Sequence, residues 1–275
     1  MLTAEELDAP ATRGAVARAA SFLRPYLLGA AGSAFLFAAG WTRPKHRAAI
    51  VELCHHFGYR HESREPAELP AITLSQVVPV DAMIDVRAID AVDGNVSERE
   101  LITICRLMRS IQPRKLFEIG TFDGRTTLNM AVNAAPGATV HTLDLPRAEL
   151  AAAASRIHAH EIVFADKPQS GERFRGTDAE RSIVQLYGDS ATFDFSPFYG
   201  AIDFVFIDAS HMFDYVVNDS LHALRMLTPN GGTIVWHDYG RWDGVTAALN
   251  QLRRKRKEFE SLVSIDGTTL ALLTK

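Results

Sequence analysis

Short runs of apolar residues recur through the second half of the chain, and segments with helical spacing separate them. The apolar runs predict five strands, at 116–119, 139–143, 183–187, 204–207 and 233–236. The intervening segments predict helices over 125–134, 148–157, 213–227 and 244–257. Strands that are apolar throughout and alternate with helices indicate a parallel sheet whose two faces are both covered.

The end of the chain follows a different pattern. Two apolar runs within 262–273 flank Asp266 and Gly267, a pair that favours a hairpin between antiparallel strands. We therefore predict an α/β fold with a Rossmann-like, seven-stranded, mostly parallel sheet, a C-terminal antiparallel hairpin and an N-terminal helical region.

An amphipathic helix is predicted directly before the first strand. Ser97 and Glu100 have the spacing of a capping box, and apolar residues then recur on one helical face until Pro113 ends the helix. This helix begins the sheet domain, which we assign to residues 96–275. Residues 1–95 form a helical cap or oligomerisation region that ends in an irregular, proline-punctuated linker.

Composition narrows the function. The net charge of -4 argues against a nucleic-acid binder, because phosphate binding requires a basic surface. The two cysteines provide no disulfide framework and suit a reducing compartment, and the first residues lack the basic start of a signal peptide. We therefore expect a cytoplasmic protein. The apolar segment 22–42 is predicted to be a buried or oligomer-packing helix, and a membrane-surface segment is the alternative.

A glycine-bearing turn follows the first strand. Glu118 closes this strand, and Gly120 and Gly124 bracket the turn that leads into a helix. This arrangement lets a backbone approach a charged small molecule at a helix N-terminus. The turn lacks the middle glycine of the dinucleotide fingerprint, so the pattern alone does not identify the ligand.

Acidic residues at the next two strand ends complete a predicted nucleotide site. Asp144 ends the second strand, where a carboxylate can accept both hydroxyls of a ribose. Asp189 and Ser190 follow the third strand, near the expected position of an adenine amino group.

Two carboxylates and two imidazoles stand at the ends of the next two strands. Asp208 and His211 follow the fourth strand, and His237 and Asp238 follow the fifth. Ligands of open α/β sheets bind at such strand ends, so we expect these four side chains to converge on one crevice.

Together these residues resemble class I S-adenosylmethionine-dependent methyltransferases over roughly residues 97–275. The turn is similar to that of small-molecule O-methyltransferases of the catechol O-methyltransferase type and of bacterial glycan and natural-product methyltransferases. The resemblance implies a cofactor loop formed by Glu118, Gly120, Thr121 and Gly124. It further implies that Thr126 holds the methionine carboxylate, Asp144 the ribose, and Asp189 with Ser190 the adenine edge.

The resemblance also implies a chemical site. Asp208 and Asp238 would bind a divalent metal such as Mg²⁺, and His211 would be the general base. The family has Asn where this chain has Tyr239, a poor ligand for Mg²⁺, so the metal stays open. A metal-free site would use His211 or His237 as the base, oriented by Asp238 or Asp208, and Asp208 would alternatively bind the ammonium group of the donor.

The predicted activity is S-adenosylmethionine-dependent methyl transfer to a hydroxyl of a small molecule, with a sugar or natural-product intermediate as the first acceptor class. We expect a homo-oligomer. The rival functions are a nicotinamide-dependent oxidoreductase on a similar fold and a non-catalytic S-adenosylmethionine-binding subunit. Residues 159–181, a long connection rich in arginine, are either a lid over the acceptor or an exposed insertion.

Overall fold

A computed structural model describes residues 15–43, 46–47, 49–50, 53–54, 63–78, 83–153 and 161–275. The chain divides into two compact units, Met1–Tyr59 and Arg60–Lys275. The predicted linker around residue 80 and the second half of the predicted helix 148–157 lie partly outside the described residues.

The described part of the first unit is dominated by helix α1, Ala15–Ala39, which continues into the short 3-10 turn Gly40–Thr42. Several large apolar side chains of this helix and turn are more than half exposed, namely Leu23, Tyr26, Leu27, Leu28, Phe35, Phe37 and Trp41. Among the described residues, no helix has the length and apolar character needed to cross a membrane.

The second unit is built on one sheet of eight strands. The strands are β1 (Ala71–Ile72), β2 (Lys115–Ile119), β3 (Thr139–Asp144), β4 (Ile183–Tyr187), β5 (Phe204–Ile207), β6 (Thr233–Trp236), β7 (Val263–Ile265) and β8 (Ala271–Thr274). Their order in the sheet is β1-β7-β8-β6-β5-β2-β3-β4. Only β8 runs antiparallel to its neighbours, β6 and β7, so the predicted mostly parallel sheet with a terminal hairpin is confirmed.

Strand β1 is an addition to the seven predicted strands. It pairs in parallel with β7 at the sheet edge, where Ala71 lies opposite Ser264. Two residues are too few to give a periodic pattern, and the surrounding prolines make the segment read as irregular.

Helices cover both faces of the sheet. They are α2 (Glu98–Ile111), α3 (Arg125–Asn133), α4 (Leu150–Ala153), α5 (Ile162–Ala165), α6 (Phe213–Met226) and α7 (Asp243–Lys255). The predicted capping box of α2 is present, because Ser97 Oγ accepts from the Glu100 backbone N–H and the Glu100 carboxylate accepts from the Ser97 backbone N–H.

The hydrophobic core lies in two layers, one on each face of the sheet. Phe117 and Ile119 of β2 point into the layer that contains residues of α6 and α7. Leu116 of the same strand points into the opposite layer, together with residues of α2. Successive strand residues alternate between faces, so a central strand that is apolar at nearly every position contributes to both layers.

Candidate active site

A crevice opens at the carboxyl edge of the parallel strands. One residue at or just beyond the end of each of five strands lines it: Gly120 after β2, Asp144 on β3, Asp189 after β4, Asp208 after β5 and His237 after β6. Strands β2 and β5 are neighbours in the sheet although β3 and β4 separate them in sequence. The crevice therefore lies where the strand order reverses, the usual ligand position in open α/β sheets.

The structure brings together eight of the twelve predicted site residues on the wall of this crevice. These are Gly120, Asp144, Asp189, Ser190, Asp208, His211, His237 and Asp238. The other four, Glu118, Thr121, Gly124 and Thr126, are not among the described residues that line it. They belong to the strand, turn and helix around Gly120.

Glu118 forms a buried network with threonine hydroxyls. Its Oε2 accepts hydrogen bonds from Thr127 and, at 2.5 Å, from Thr142 Oγ1. The Thr142 hydroxyl lies 2.6 Å from that of Thr121. Because burial disfavours the charged form more strongly than these hydroxyls favour it, the pKa of Glu118 is raised to about 8. This network fixes the end of β2 to the turn and to α3.

The carboxylate of Asp144 is held by the long connection between β3 and β4. Lys167 Nζ lies 2.7 Å from Asp144 Oδ2, and Ser170 donates its hydroxyl to the same oxygen. Both side chains of the ion pair are largely buried, with 14% of Lys167 and 10% of Asp144 exposed. The predicted ribose residue is thus at the crevice, and the connection supplies its protein partners.

The residues after β4 are anchored by helix α6. Tyr215 donates its hydroxyl to Asp189 at 2.9 Å, and Ser190 donates to Asp219 Oδ2 at 3.1 Å. Burial raises the pKa of the Asp219 carboxyl to about 7, with a further contribution from the negative charge of Asp189. Helix α6 thus supports the position predicted for the adenine edge.

His211 lies between two carboxylates. Its Nε2 is 2.8 Å from Asp238 Oδ2, and its Nδ1 is 2.7 Å from Glu161 Oε1. The imidazole stacks on Trp242, with ring centroids 4.8 Å apart and planes inclined by 14°. Burial alone would lower the pKa of His211, but the negative charges of Asp238 and Glu161 outweigh it and raise the pKa to about 9.

His237 is enclosed by three carboxylates. Its Nδ1 is 3.0 Å from Asp208 Oδ1 and 3.1 Å from Asp238 Oδ2, and its Nε2 is 3.3 Å from Glu100 Oε2. Despite burial, these charges raise the pKa of His237 well above its usual value. Burial would raise the pKa of Asp238, but His237 and His211 keep it well below its usual range. The charges of His237, His211 and Asp238 therefore stabilise one another.

Asp208, His237 and Asp238 form a candidate metal site. One ligand atom from each lies within 4.8 Å of the others. Two carboxylates and an imidazole suit a divalent cation such as Mn²⁺ or Mg²⁺ once the imidazole has lost a proton. Tyr239 is turned away, since its buried hydroxyl accepts from the Leu69 backbone N–H and donates to Asn250, each at 2.8 Å. The histidine before Asp238, rather than the residue after it, completes the set.

The backbone at Asp238 is held in an uncommon conformation. Its φ of 68° places a non-glycine residue in the left-handed region, which costs on the order of 1 kcal/mol or more. The Asp238 backbone N–H donates to Thr269 Oγ1 at 3.2 Å, and its carbonyl accepts from the Arg241 and Trp242 N–H groups. These bonds stabilise the turn that brings Asp238 between the two histidines.

The connection between β3 and β4 covers part of the crevice. Its described residues Glu161, Phe164 and Lys167 line the wall. Arg173 ties the segment to the turn after β2, since its Nε donates to Asp123 Oδ2 at 2.6 Å. These contacts make part of the connection a wall of the crevice.

Three residues of the site are not predicted from the sequence. Glu100 is expected there only in the capping box, whereas its carboxylate also reaches His237. Glu161 lies in a segment without clear periodicity, and Trp242 follows the last predicted site residue. No local signal identifies Glu161, because its contact with His211 spans 50 positions. Trp242, an aromatic residue close to a strand end, has a weak one.

Comparison with known proteins finds a family that the central part of the chain resembles. Residues 117–239 match the protein family described as a methyltransferase domain. The matched residues run from β2 past the end of β6 and include every residue predicted for the cofactor, the metal and the base. No curated protein matches the chain.

Among solved structures, the chain is similar to TomG of Streptomyces achromogenes, an O-methyltransferase of tomaymycin synthesis in complex with SAM. The two sequences are 20% identical, the match covers 82% of this chain and 96% of that chain, and the TM-score is 0.44. The chain is also similar to an O-methyltransferase of Bacillus cereus in complex with SAH, with 18% identity and a TM-score of 0.43. That match covers 82% of this chain and 97% of that chain. A third similar structure is cofactor-bound Rv0187 from MTB, with 22% identity and a TM-score of 0.41. That match covers 65% of this chain and 80% of that chain. At these identities and TM-scores the likenesses carry no conclusion about the function of this chain.

Proposed function

We propose, from the match of residues 117–239 to a methyltransferase domain, that the protein transfers a methyl group from S-adenosylmethionine to a hydroxyl of a small molecule. One observation carries this proposal. Asp144, Asp189, Asp208 and His211 line a single crevice, so groups suited to a nucleoside and groups suited to proton removal face the same space.

The cofactor side of the crevice has the chemistry that a nucleoside requires. Asp144, whose carboxylate is at the wall, would accept the ribose hydroxyls, and Asp189 with Ser190 would receive the adenine edge. Gly120 brings bare backbone to the wall, Glu118, Thr121 and Gly124 would complete the cofactor loop, and Thr126 would hold the methionine carboxylate. Asp208, which lines the same crevice as Gly120, is the alternative partner for the donor's ammonium group.

His211 is proposed as the general base. When bound, S-adenosylmethionine supplies an electrophilic methyl group on a positively charged sulfur. The acceptor oxygen must lose its proton as it bonds to that methyl group, and His211 would take the proton in its neutral form, which a pKa of about 9 makes the predominant form only at alkaline pH. The carboxylate of Asp238 stabilises the resulting imidazolium. His237 is the second candidate, because it also lines the crevice, but Glu100, Asp208 and Asp238 enclose it.

A divalent metal would be held by Asp208, Asp238 and His237. It would supply a positive charge that lowers the pKa of a bound hydroxyl. His237 would stand in for the ligand that Tyr239, whose hydroxyl bonds to Leu69 and Asn250, does not provide. Activity that persists in EDTA would exclude a catalytic metal.

The acceptor class is a sugar or a natural-product intermediate that bears a hydroxyl. Phe122, Phe164 and Trp242 line the crevice and would offer aromatic surface to the acceptor. Such surfaces pack against flat rings or the apolar face of a sugar. Arg241 adds a cationic group beside them.

Two further proposals concern the location and the oligomeric state of the whole protein. A cytoplasmic location agrees with cysteines that are both free, Cys54 and Cys105. Homo-oligomerisation is proposed for the helical N-terminal region, and light scattering of the purified chain tests it.

The first experiment is calorimetric titration with S-adenosylhomocysteine, with Mg²⁺ and again with EDTA. We expect micromolar binding in both buffers and a loss of at least about tenfold in Asp144→Ala, which removes the ribose acceptor. Asp178→Ala, an exposed carboxylate in the same connection, is the matched control and should bind like the wild type. Binding of NADH in place of S-adenosylhomocysteine would favour the oxidoreductase instead.

The second experiment separates an enzyme from a non-catalytic binding subunit. A panel of sugar and phenolic hydroxyl acceptors is screened for methyl transfer, and His211→Ala is compared with His237→Ala. We expect His211→Ala to lower kcat by roughly 100-fold or more. Equal turnover in His211→Ala and wild type would remove His211 from the base role.

A further inference from the structure

Polar side chains of helix α3 hold an irregular chain segment beside the crevice. We propose that Asn129 and Asn133, together with Arg125, are positioning residues for the cofactor. They bind the backbone of residues 85–89 and thereby fix residues 93–95 against the turn formed by residues 120–124, the cofactor turn. The proposal rests on the proposed function, because it takes this turn as the part of the crevice that receives S-adenosylmethionine.

The two asparagines bind the segment through its backbone. Asn129 Oδ1 accepts the Arg87 backbone N–H and Asn129 Nδ2 donates to the Arg87 carbonyl, each at 2.9 Å. Asn133 makes the same pair of bonds with Asp85, at 2.9 Å and 2.6 Å. Both asparagines are fully buried. Four helical residues rise about 6 Å, close to the roughly 6.6 Å that two extended residues span, so successive turns of the helix reach alternate residues of the segment.

Arg125 continues this row at the start of the same helix. Its buried guanidinium donates to three carbonyls, from Nε to Ala88 at 3.1 Å and from Nη2 and Nη1 to Ile89 and Val96, each at 2.8 Å. Ala88 has φ of 48°, an uncommon conformation for a residue with a side chain, and Arg173 Nη1 also donates to its carbonyl, at 3.3 Å. Strained residues that several groups hold in place are typical of functional sites.

The held segment leads directly to the crevice, which Asp93, Gly94 and Asn95 line. Asn95 Nδ2 donates to Asp123 Oδ1 at 3.0 Å, and the same oxygen accepts the Arg125 backbone N–H at 3.0 Å. One carboxylate therefore joins residues 93–95, the cofactor turn and helix α3.

The asparagines would contribute to binding by preorganisation. Without their contacts, residues 83–96 would sample conformations in which residues 93–95 do not support the cofactor turn. A ligand then binds only the fraction of molecules in which this wall is in place, so its apparent Kd rises as that fraction falls. We expect only weaker binding, because the change removes no charge and Asn129 and Asn133 are not among the described residues that line the crevice.

Calorimetric titration of Asn129→Ala with S-adenosylhomocysteine tests this role. We expect Kd to rise roughly 10-fold while the stoichiometry of binding stays near one, because every folded molecule binds more weakly. A merely structural role would instead lower the stoichiometry, as some molecules unfold, at unchanged Kd. Asn133→Ala, whose partner Asp85 lies farther from residues 93–95, should show a smaller rise and serves as the second variant if Asn129→Ala does not fold.

Asn250→Ala is the matched control. Asn250 is also a buried asparagine on a helix, α7, and it also binds a chain segment through its backbone. It donates to the Pro66 carbonyl at 2.7 Å and accepts the Glu68 N–H at 3.3 Å. Residues 66–68 are not among the described residues that line the crevice. The control should therefore lose stability but keep the wild-type Kd.

Hydrogen exchange measured by mass spectrometry reports the contact itself. In Asn129→Ala without ligand, exchange across residues 83–96 should become at least about 10-fold faster, and Asn250→Ala should leave it unchanged. A wild-type Kd in Asn129→Ala despite this faster exchange would overturn the proposal and leave the proposed function standing. Unchanged exchange in Asn129→Ala would overturn it as well. If the wild type itself does not bind S-adenosylhomocysteine, the proposed function fails, and the role of the asparagines falls with it.

Discussion

At the residue scale, the carboxyl of Asp219 supports the crevice through Ser190, but its burial disfavours the charged form of the acid. It is 1% exposed on helix α6 and accepts hydrogen bonds from Ser190 at 3.1 Å and from Asn218 at 3.2 Å. These bonds do not offset burial, so the pKa is raised from 3.8 to about 7. Ser190, one of the predicted cofactor residues, is therefore held by an acid that ionises near neutral pH.

The stability of the folded protein should consequently depend on pH through Asp219. Because its pKa is higher in the folded than in the unfolded chain, the folded state binds the proton more tightly. The corresponding stability is fully present below about pH 4 and is lost as the pH rises to about 7. Asp219→Asn, which resembles the protonated acid, should gain roughly 1–3 kcal/mol relative to wild type between pH 4 and pH 8.

Thermal unfolding of both proteins at pH 4, 6 and 8 measures this difference. Asp214→Asn, at an exposed position of the same helix, controls for the change in net charge. An Asp219→Asn variant that loses the same stability relative to wild type at every pH would contradict the raised pKa.

At the element scale, the turn between β2 and α3 permits a close approach of two backbones. Gly120 has φ of 102°, and a Cβ built there would lie 1.9 Å from the carbonyl oxygen of Asp208. A backbone carbonyl cannot move aside without separating the ends of β2 and β5, which pair in the centre of the sheet. The glycine is required by packing as well as by conformation.

We therefore expect Gly120→Ala to lose more than about 4 kcal/mol of stability, or to fail to fold. Gly137→Ala is the control, because Gly137 also has a positive φ, of 76°, but a Cβ at this position would meet nothing within 4 Å. It should cost only about 1 kcal/mol, the conformational penalty alone. Denaturant unfolding and soluble yield compare the two. Equal losses would show that conformation, and not the contact with Asp208, decides the effect.

The helices and strands show how much of the fold could be predicted from the sequence. Strands β4, β5 and β6 begin and end where their apolar runs do, and Ser97 with Glu100 caps α2 as predicted. Those features depend on neighbouring residues. The pairing of β1 with β7 and the contact of Glu161 with His211 depend on residues far apart in sequence, which local patterns of residues do not reveal.

The predicted site residues also divide into those that local sequence places correctly and those that depend on the three-dimensional structure. Residues placed at strand ends, such as Asp144 and Asp208, line the crevice because parallel strands end at one edge. The roles predicted for Thr126 and Glu118 come from the resemblance, and the structure places both residues in the elements behind that edge, where Glu118 bonds to threonine hydroxyls. Strand topology fixes which strand ends meet, but side-chain direction within a turn requires coordinates.

At the scale of the whole molecule, the chain divides near Tyr59, upstream of the boundary at residue 95 that the predicted helix after Ser97 suggests. Both hydrophobic layers of the second unit consist of residues from Leu69 onward. The crevice is lined by residues from Asp93 onward among the described residues. The second unit thus contains a complete core, the sheet with its edge strand β1, and the proposed site.

We expect residues 60–275 to fold as an independent unit, because the apolar residues that form both layers are all present and the sheet keeps all eight strands. Circular dichroism and thermal unfolding should show one cooperative transition. Calorimetry should give an affinity for S-adenosylhomocysteine within about threefold of the full chain. A matched chain that begins at residue 96 lacks β1 and the crevice residues Asp93, Gly94 and Asn95, and should be less stable and bind more weakly. If both shortened chains behave alike, the boundary at residue 95 describes the domain better than the one near Tyr59.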